Sequence, residues 1–191
     1  MPHLLIKDLP RYECLLGAAQ TFPDLDPSAC EVFMHVLRAG DEAFRVADDH
    51  LACHHISPGR FTVLLLLLDK AHNCPKAHTP AELADMAGVT RATMTGLVDT
   101  LERDGFVTRT PDPNDRRMMS VSLTEHGKAR LEAILPGHFR RMAMLVATLD
   151  ENERRTLVRL LTKILEKAAE IGKPTPASAT PDVPPAASAR S

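Results

Sequence analysis

Two groups of side chains in this sequence have the types and spacing that recognition chemistry needs. The first is Thr90, Arg91, Thr93 and Thr95, followed by Arg109 and the adjacent pair Arg116 and Arg117. An arginine can donate a bidentate pair of hydrogen bonds to a guanine edge, and a threonine can bond a phosphate or touch a thymine methyl. Thr90 is a good N-cap, so Arg91, Thr93 and Thr95 fall in the opening turns of a helix, where groove-reading side chains sit. Gly96 follows on the same face and leaves room for close approach without reading anything itself. Two arginines at a hairpin tip suit the narrow, electronegative minor groove, and Asp115 beside them can orient one by a charge-assisted bond.

The second group is Asp48, Asp49, His50, Cys53, His54 and His55, with Arg60 and Phe61 after it. His50 and His54 share one helix face, and Asp49 and Cys53 share another. Three readings stay open. The polar residues can be the solvated end of a long helix. They can line a small-molecule pocket, with Arg60 for a carboxylate, the imidazoles for a ring hydroxyl or ring nitrogen, and Phe61 with the leucines after it as an apolar wall. Arg38 and Arg45 are further anion-binding candidates there, or ordinary surface charges. Or Asp49, His50, Cys53 and His54 can ligate a transition metal, although no second ligand cluster supports them. No nucleophile–base pair or glycine-rich phosphate loop points to an enzyme.

The elements that must position these groups are legible around them. Thr79, Pro80 and Glu82 form a capping box with a pre-set first turn. Leu83, Met86 and Ala87 give that helix an apolar side, and Gly88 ends it. Met94, Leu97, Val98 and Leu101 line the buried face of the next helix, which stops at Asp104-Gly105. Phe106–Thr110 and Ser120–Leu123 alternate as strands around a turn of prolines, Asp112, Asn114 and Asp115. The pattern is a winged helix-turn-helix: mainly α, with a small β-hairpin wing. Upstream, Asp8 can cap a short helix with Pro10 in its first turn, and a long helix runs from about Pro27 to His54. Another helix starts at Ser57-Pro58 with the apolar run 61–68, and Asn73–His78 reads as a loop. Downstream, Thr124 caps a helix that Pro136 should kink, and Asp150 with Glu153 opens the last one.

These elements divide the chain into an extension over 1–25, a dimerisation and pocket helix over 26–56, the winged helix-turn-helix over 57–123, dimerisation helices over 124–172, and a proline-, alanine- and serine-rich tail over 173–191 expected to be disordered. The last two helices carry more apolar surface than one reader domain covers, so a dimer is expected.

The run LADMAGVTRATMTGLVDTLERDGFVTR, then DPNDRRMMSVSLTEHG, resembles the MarR family of bacterial transcriptional regulators. The resemblance extends over about residues 28–171 and rests on the Asp-Arg-Arg wing, the Leu-Thr-x-x-Gly opening of the next helix, and the end of the recognition helix. It implies an obligate homodimer, a palindromic double-stranded operator and release by a small ligand bound between the dimer helices and the reader domain, where His50–Phe61 fall. The ligand expected from those residues is a small aromatic acid, and no cofactor is required. Gly96 departs from the family, whose members often carry arginine or a polar residue there. The opening HLLIKDLPRYECLL is similar to MarR-type repressors of nicotinic acid breakdown, whose inducer is 6-hydroxynicotinic acid. Some family members carry a reactive cysteine near the N-terminus, where this chain has Cys14, which also fits an ordinary half-buried thiol. A metal- or redox-responsive regulator, and a winged-helix protein-interaction module that has lost DNA binding, are the alternatives.

Composition agrees with this frame. The 191 residues are 44% hydrophobic but only 4% aromatic, with no tryptophan, so the core must be aliphatic. The net charge of −2 means that any DNA binding rests on local placement of arginines rather than on a basic surface. No apolar run is long enough for a membrane span, the charged N-terminus is not a signal peptide, and the cytoplasm is expected. The four cysteines lack a CxxC spacing and read as thiols.

Overall fold

The structure is a computed structural model and describes residues 8–69, 74–75, 77–111 and 119–172. A short helix α1 (Tyr12–Ala19) precedes the long α2 (Pro27–Cys53) and α3 (Pro58–Leu66). Two-residue strands β1 (Leu68–Asp69) and β2 (Cys74–Pro75) pair antiparallel. Then come α4 (Pro80–Ala87), α5 (Arg91–Arg103), the hairpin β3 (Val107–Pro111) and β4 (Met119–Leu123), α6 (Glu125–Leu145) and α7 (Glu151–Ile171).

Helix starts follow the local chemistry. Asp26, Ser57 and Thr79 each cap a helix whose first residue is proline, and each side-chain oxygen accepts a backbone N–H of the opening turn. Proline costs nothing there, because its missing N–H would have had no partner within the helix. Thr79 and Glu82 complete a capping box, and Asp150 and Glu153 complete another. Gly88 closes α4 in the left-handed conformation, with φ 64°. Two expectations shift. Asp8 does not cap α1, which starts after Arg11 without a side-chain cap. The apolar run after Phe61 leaves the helix at Leu66, and the expected loop contributes β2 instead. Downstream of it, His78 exchanges backbone hydrogen bonds with Val121, of 3.0 and 2.8 Å, adding a one-residue bridge to the wing hairpin. α6 runs on through Pro136.

The core is aliphatic and lies within the reader. Val63, Leu64, Leu67, Leu83, Met94, Val98, Leu101, Val121, Leu131 and Ile134 are fully enclosed, so α3, α4, α5, β4 and the first half of α6 share one apolar centre. Met86, assigned by pattern to the inside, is exposed, as is Val89 just after the helix. Outside the core the balance reverses. Val32, Phe33 and Phe44 on α2 and Phe139, Met142, Met144 and Leu145 on α6 are exposed. The chain divides into two compact units at Leu145–Val146. Taken by itself, α7 buries none of its residues and exposes Leu157, Val158, Leu160, Ile164 and Leu165. Apolar surface on this scale needs a covering partner.

One close approach joins the wing to α6. Thr124 donates its hydroxyl to the carbonyl of Gly105 at 2.7 Å and its N–H to that of Phe106 at 3.1 Å, while its oxygen accepts from Gly127 N at 3.0 Å. A Cβ on Gly127 would sit 2.0 Å from the Phe106 carbonyl oxygen. Backbone on both sides leaves nothing flexible to yield. Gly127→Ala is therefore expected to destabilise the chain by about 1–3 kcal/mol, the usual cost of overpacking, seen as a lowered Tm with the far-ultraviolet helix signal retained at low temperature.

Candidate nucleic-acid interface and effector cleft

The first candidate surface is the opening of α5. Thr90 caps it, accepting from Thr93 N at 3.1 Å, and its hydroxyl lies 2.9 Å from that of Thr93. Thr95 returns its hydroxyl to the carbonyl of Arg91 at 2.9 Å. Met94, Val98 and Leu101 anchor the opposite side in the core, which turns Thr90, Arg91, Thr93, Thr95 and Gly96 together to the exterior. Space is open around Gly96, so a backbone or base edge can come close. Arg91 has no acidic partner among the described residues and keeps its guanidinium for an external acceptor.

Arg109 sits differently from its expected role. It bridges Asp99 and Glu102 of α5, with N–O distances of 2.6 Å to each. Its side chain is only 23% exposed. Its charge is committed inside the protein, where it clamps β3 to the recognition helix. Arg116 and Arg117 lie outside the described residues.

The second candidate region lies where α2 crosses α6. His50 is buried and its Nε2 is 3.2 Å from the carbonyl of Ile134. A carbonyl only accepts, so the His50 proton is on Nε2. Gly137 makes the approach possible, since a Cβ there would meet His50 Cε1 at 2.8 Å. His54 stands edge-on to His50 at 4.8 Å, and His138 lies 6.1 Å from His50 and 4.9 Å from the buried Phe61. Sequence reading did not find His138. Its signal was available, because it falls one helical turn after the enclosed Ile134.

The other members of the expected pocket are committed elsewhere. Arg60 pairs with Asp104 and lies 5.9 Å from the Phe106 ring centre, tying α3 to the end of α5. Arg38 lies 3.5 Å from Glu42, and Arg45 pairs with Glu42 at 2.7 Å and Asp49 at 3.5 Å, a ladder along the surface of α2. His55 is exposed at a positive φ of 52° just past the helix end. Arg130, unmarked in the sequence, donates to the carbonyl of His54 and so closes the end of α2. Asp49 and Cys53 point outward, away from buried His50, and no group of three or more metal-ligating side chains converges among the described residues. Cys14 and Cys53 are exposed and Cys30 half-buried, all as thiols.

Beside His138 a shallow cleft lies between α2 and α6, with a volume of about 20 Å³, room for about one water. Ala43, Val46 and Ala47 form one wall, and His138, Arg141, Met142 and Leu145 the other.

The comparisons with known proteins agree with this geometry. The family model described as "MarR family" matches residues 56–119. The HTH-type transcriptional repressor YetL of Bacillus subtilis is 36% identical over 163 residues, covering 85% of this chain and 95% of the relative. The chain belongs to the MarR family. Among solved structures, a mutant MarR of Escherichia coli complexed with operator DNA is 28% identical, covering 74% of this chain and 99% of that one, with a TM-score of 0.63. Bordetella bronchiseptica BpsR, in a structure on regulation of its DNA binding by 6-hydroxynicotinic acid, is 24% identical with a TM-score of 0.59, covering 70% of this chain and 98% of that one. At that identity the likeness is one of fold. MarR-family regulators bind operator DNA as dimers and respond to small ligands. Dimerisation is what the exposed apolar faces of α2, α6 and α7 call for. No described helix is long and apolar enough to cross a membrane.

His54 and His138 carry shifted protonation. Burial, then the neighbouring charges of His50, Arg130, Arg141 and His55, hold His54 below the ordinary 6.5. Burial and then His50 hold His138 below it too. α3 adds no charge to this site, because Arg60 faces Asp104. In the unfolded chain both imidazoles take up protons at the ordinary value, so below about 6.5 the unfolded state binds more protons than the folded one. Stability is expected to fall as pH drops from about 7.5 to 5.5. The Tm difference between those conditions should shrink in a His54→Gln/His138→Gln variant.

Proposed function

We propose that this MarR-family regulator is a repressor without catalytic activity. In this reading it acts in the cytoplasm, binds a palindromic operator as a homodimer, and is released by a small aromatic carboxylate. The observation that carries the DNA-reading half is the outward face of α5: Thr90, Arg91, Thr93, Thr95 and Gly96 stand clear of the protein while the opposite side is locked in the core. Two such helices in a dimer can enter successive major grooves when they sit about one DNA turn apart. A ligand that prefers a different spacing of the readers shifts the population away from DNA. In the wing, Arg116 and Arg117 are assigned to the minor groove, while Arg109 is assigned to holding the wing on α5.

The effector half is supported by the cleft beside His138, which offers apolar walls with neutral imidazoles and a guanidinium nearby. The specific acid proposed is 6-hydroxynicotinic acid. The similarity of the opening HLLIKDLPRYECLL to repressors of nicotinic acid breakdown supports it, as does the shared fold with BpsR, whose DNA binding that acid regulates.

The test is a fluorescence-anisotropy titration of the full chain on duplexes selected from a random pool. Arg91→Ala should weaken binding to the selected sequence by about 5- to 100-fold, the worth of a bidentate base contact. Its effect on unrelated DNA should be smaller. Failure to enrich any sequence at low salt would sink the proposal.

A further inference from the structure

We infer that the outward face of α5 reads thymine 5-methyl groups beside the base that Arg91 bonds, and that the γ-methyls of Thr93 and Thr95 make those contacts. This deepens the proposed DNA-reading half and rests on it. It decides between the two things a threonine can do on DNA, bond a phosphate or touch a methyl.

The hydroxyls of this face are already engaged. Thr95 gives its one hydroxyl hydrogen to the Arg91 carbonyl at 2.9 Å. Thr90 and Thr93 pair hydroxyl to hydroxyl at 2.9 Å, and the Thr90 oxygen also accepts from Thr93 N at 3.1 Å. Thr93 and Thr95 are nevertheless exposed. With each hydroxyl turned back on the helix or its cap, the group left for an outside partner is the γ-methyl.

Ala92 and Gly96 lie between these two threonines. The helical period sets them opposite Met94, Val98 and Leu101, on the line of α5 farthest from the core. Both are exposed, and nothing stands within 4 Å of where a Cβ on Gly96 would be. Glycine weakens a helix interior relative to alanine. Neither packing nor a left-handed backbone within the chain asks for it here, since only Gly88 and Gly105 have positive φ among the described glycines. The result is a low crest of Ala92 and bare Gly96, with a threonine methyl on either side. Asp99, the next residue along that line, is held by Arg109.

Beyond Arg91, then, this surface is small and apolar. The apolar feature that a base pair shows in the major groove is the thymine 5-methyl, and alanine and threonine methyls suit it. Arg91 supplies the directional contact to guanine. From Arg91 to Thr95 the helix rises about 6 Å, or about two base-pair steps. The half-site is therefore a guanine with thymines about two steps away or nearer.

The test is an anisotropy titration of the full chain on its selected operator and on duplexes with one half-site thymine replaced by uracil. The exchange removes the 5-methyl and leaves pairing and hydrogen-bonding edges intact. Near the guanine whose recognition Arg91→Ala abolishes, uracil should weaken wild-type binding about 3- to 5-fold, the worth of one buried methyl. Thr93→Ser/Thr95→Ser keeps both hydroxyls, removes both methyls, and should bind thymine and uracil duplexes alike. Thr95→Val keeps the methyl and should retain the wild-type response to uracil. Melting curves check that each variant folds. Three results would each overturn the inference and leave the DNA reading standing: equal wild-type binding of every uracil duplex, a uracil response that survives in the double serine variant, or its loss in Thr95→Val. If no sequence is selected at low salt, both fall.

Discussion

The hydrogen-only side of Gly127 is the constraint on which the reader depends. The first turn of α6 lies against the Phe106 carbonyl at a separation that no side chain could occupy. Thr124 binds that same Phe106 carbonyl and the neighbouring Gly105 carbonyl. The end of α5, the base of the wing and the start of α6 therefore meet at one joint made almost entirely of backbone. Arg109 adds a second tie, from β3 to Asp99 and Glu102 of α5. Recognition helix and wing are thus one body, and α6 is the element attached to it without slack.

The same helix carries the other contact of close tolerance. At Gly137, α6 admits His50 of α2, whose Nε2–H reaches the Ile134 carbonyl. Between these two glycines lie Leu131 and Ile134, fully enclosed. Beyond them, the helix presents His138 and Arg141 to the cleft, and Phe139, Met142 and Leu145 stand exposed. One helix therefore joins the DNA-reading lobe to the cleft. A packed element of this kind transmits displacement rather than absorbing it.

Much of this was legible in the sequence because it is local. The capping box at Thr79–Glu82, the cap at Thr90 and the glycine stop at Gly88 are decided by residues within one turn, and the structure has each. The hairpin is where alternation put it. The site was less legible because it is built across the chain. His50 meets a carbonyl 84 residues away and Arg60 a carboxylate 44 residues away. No periodicity announces such pairings. Arg60 and Arg109 looked available because sequence shows charge but not partners. His138 and Arg141 carried no motif, although their places on α6 follow from its period once Ile134 is known to be inside.

Cleft and operator are proposed to communicate through α6. Linkage gives that claim a direct test, since two sites that share a conformational equilibrium must affect each other equally. The measurement is the affinity of 6-hydroxynicotinate for the full chain, alone and saturated with its selected operator, set beside operator affinity with and without the acid. The acid is expected to bind more weakly to the operator complex, by the same factor as the acid weakens operator binding. Identical acid affinity in the two states would contradict it.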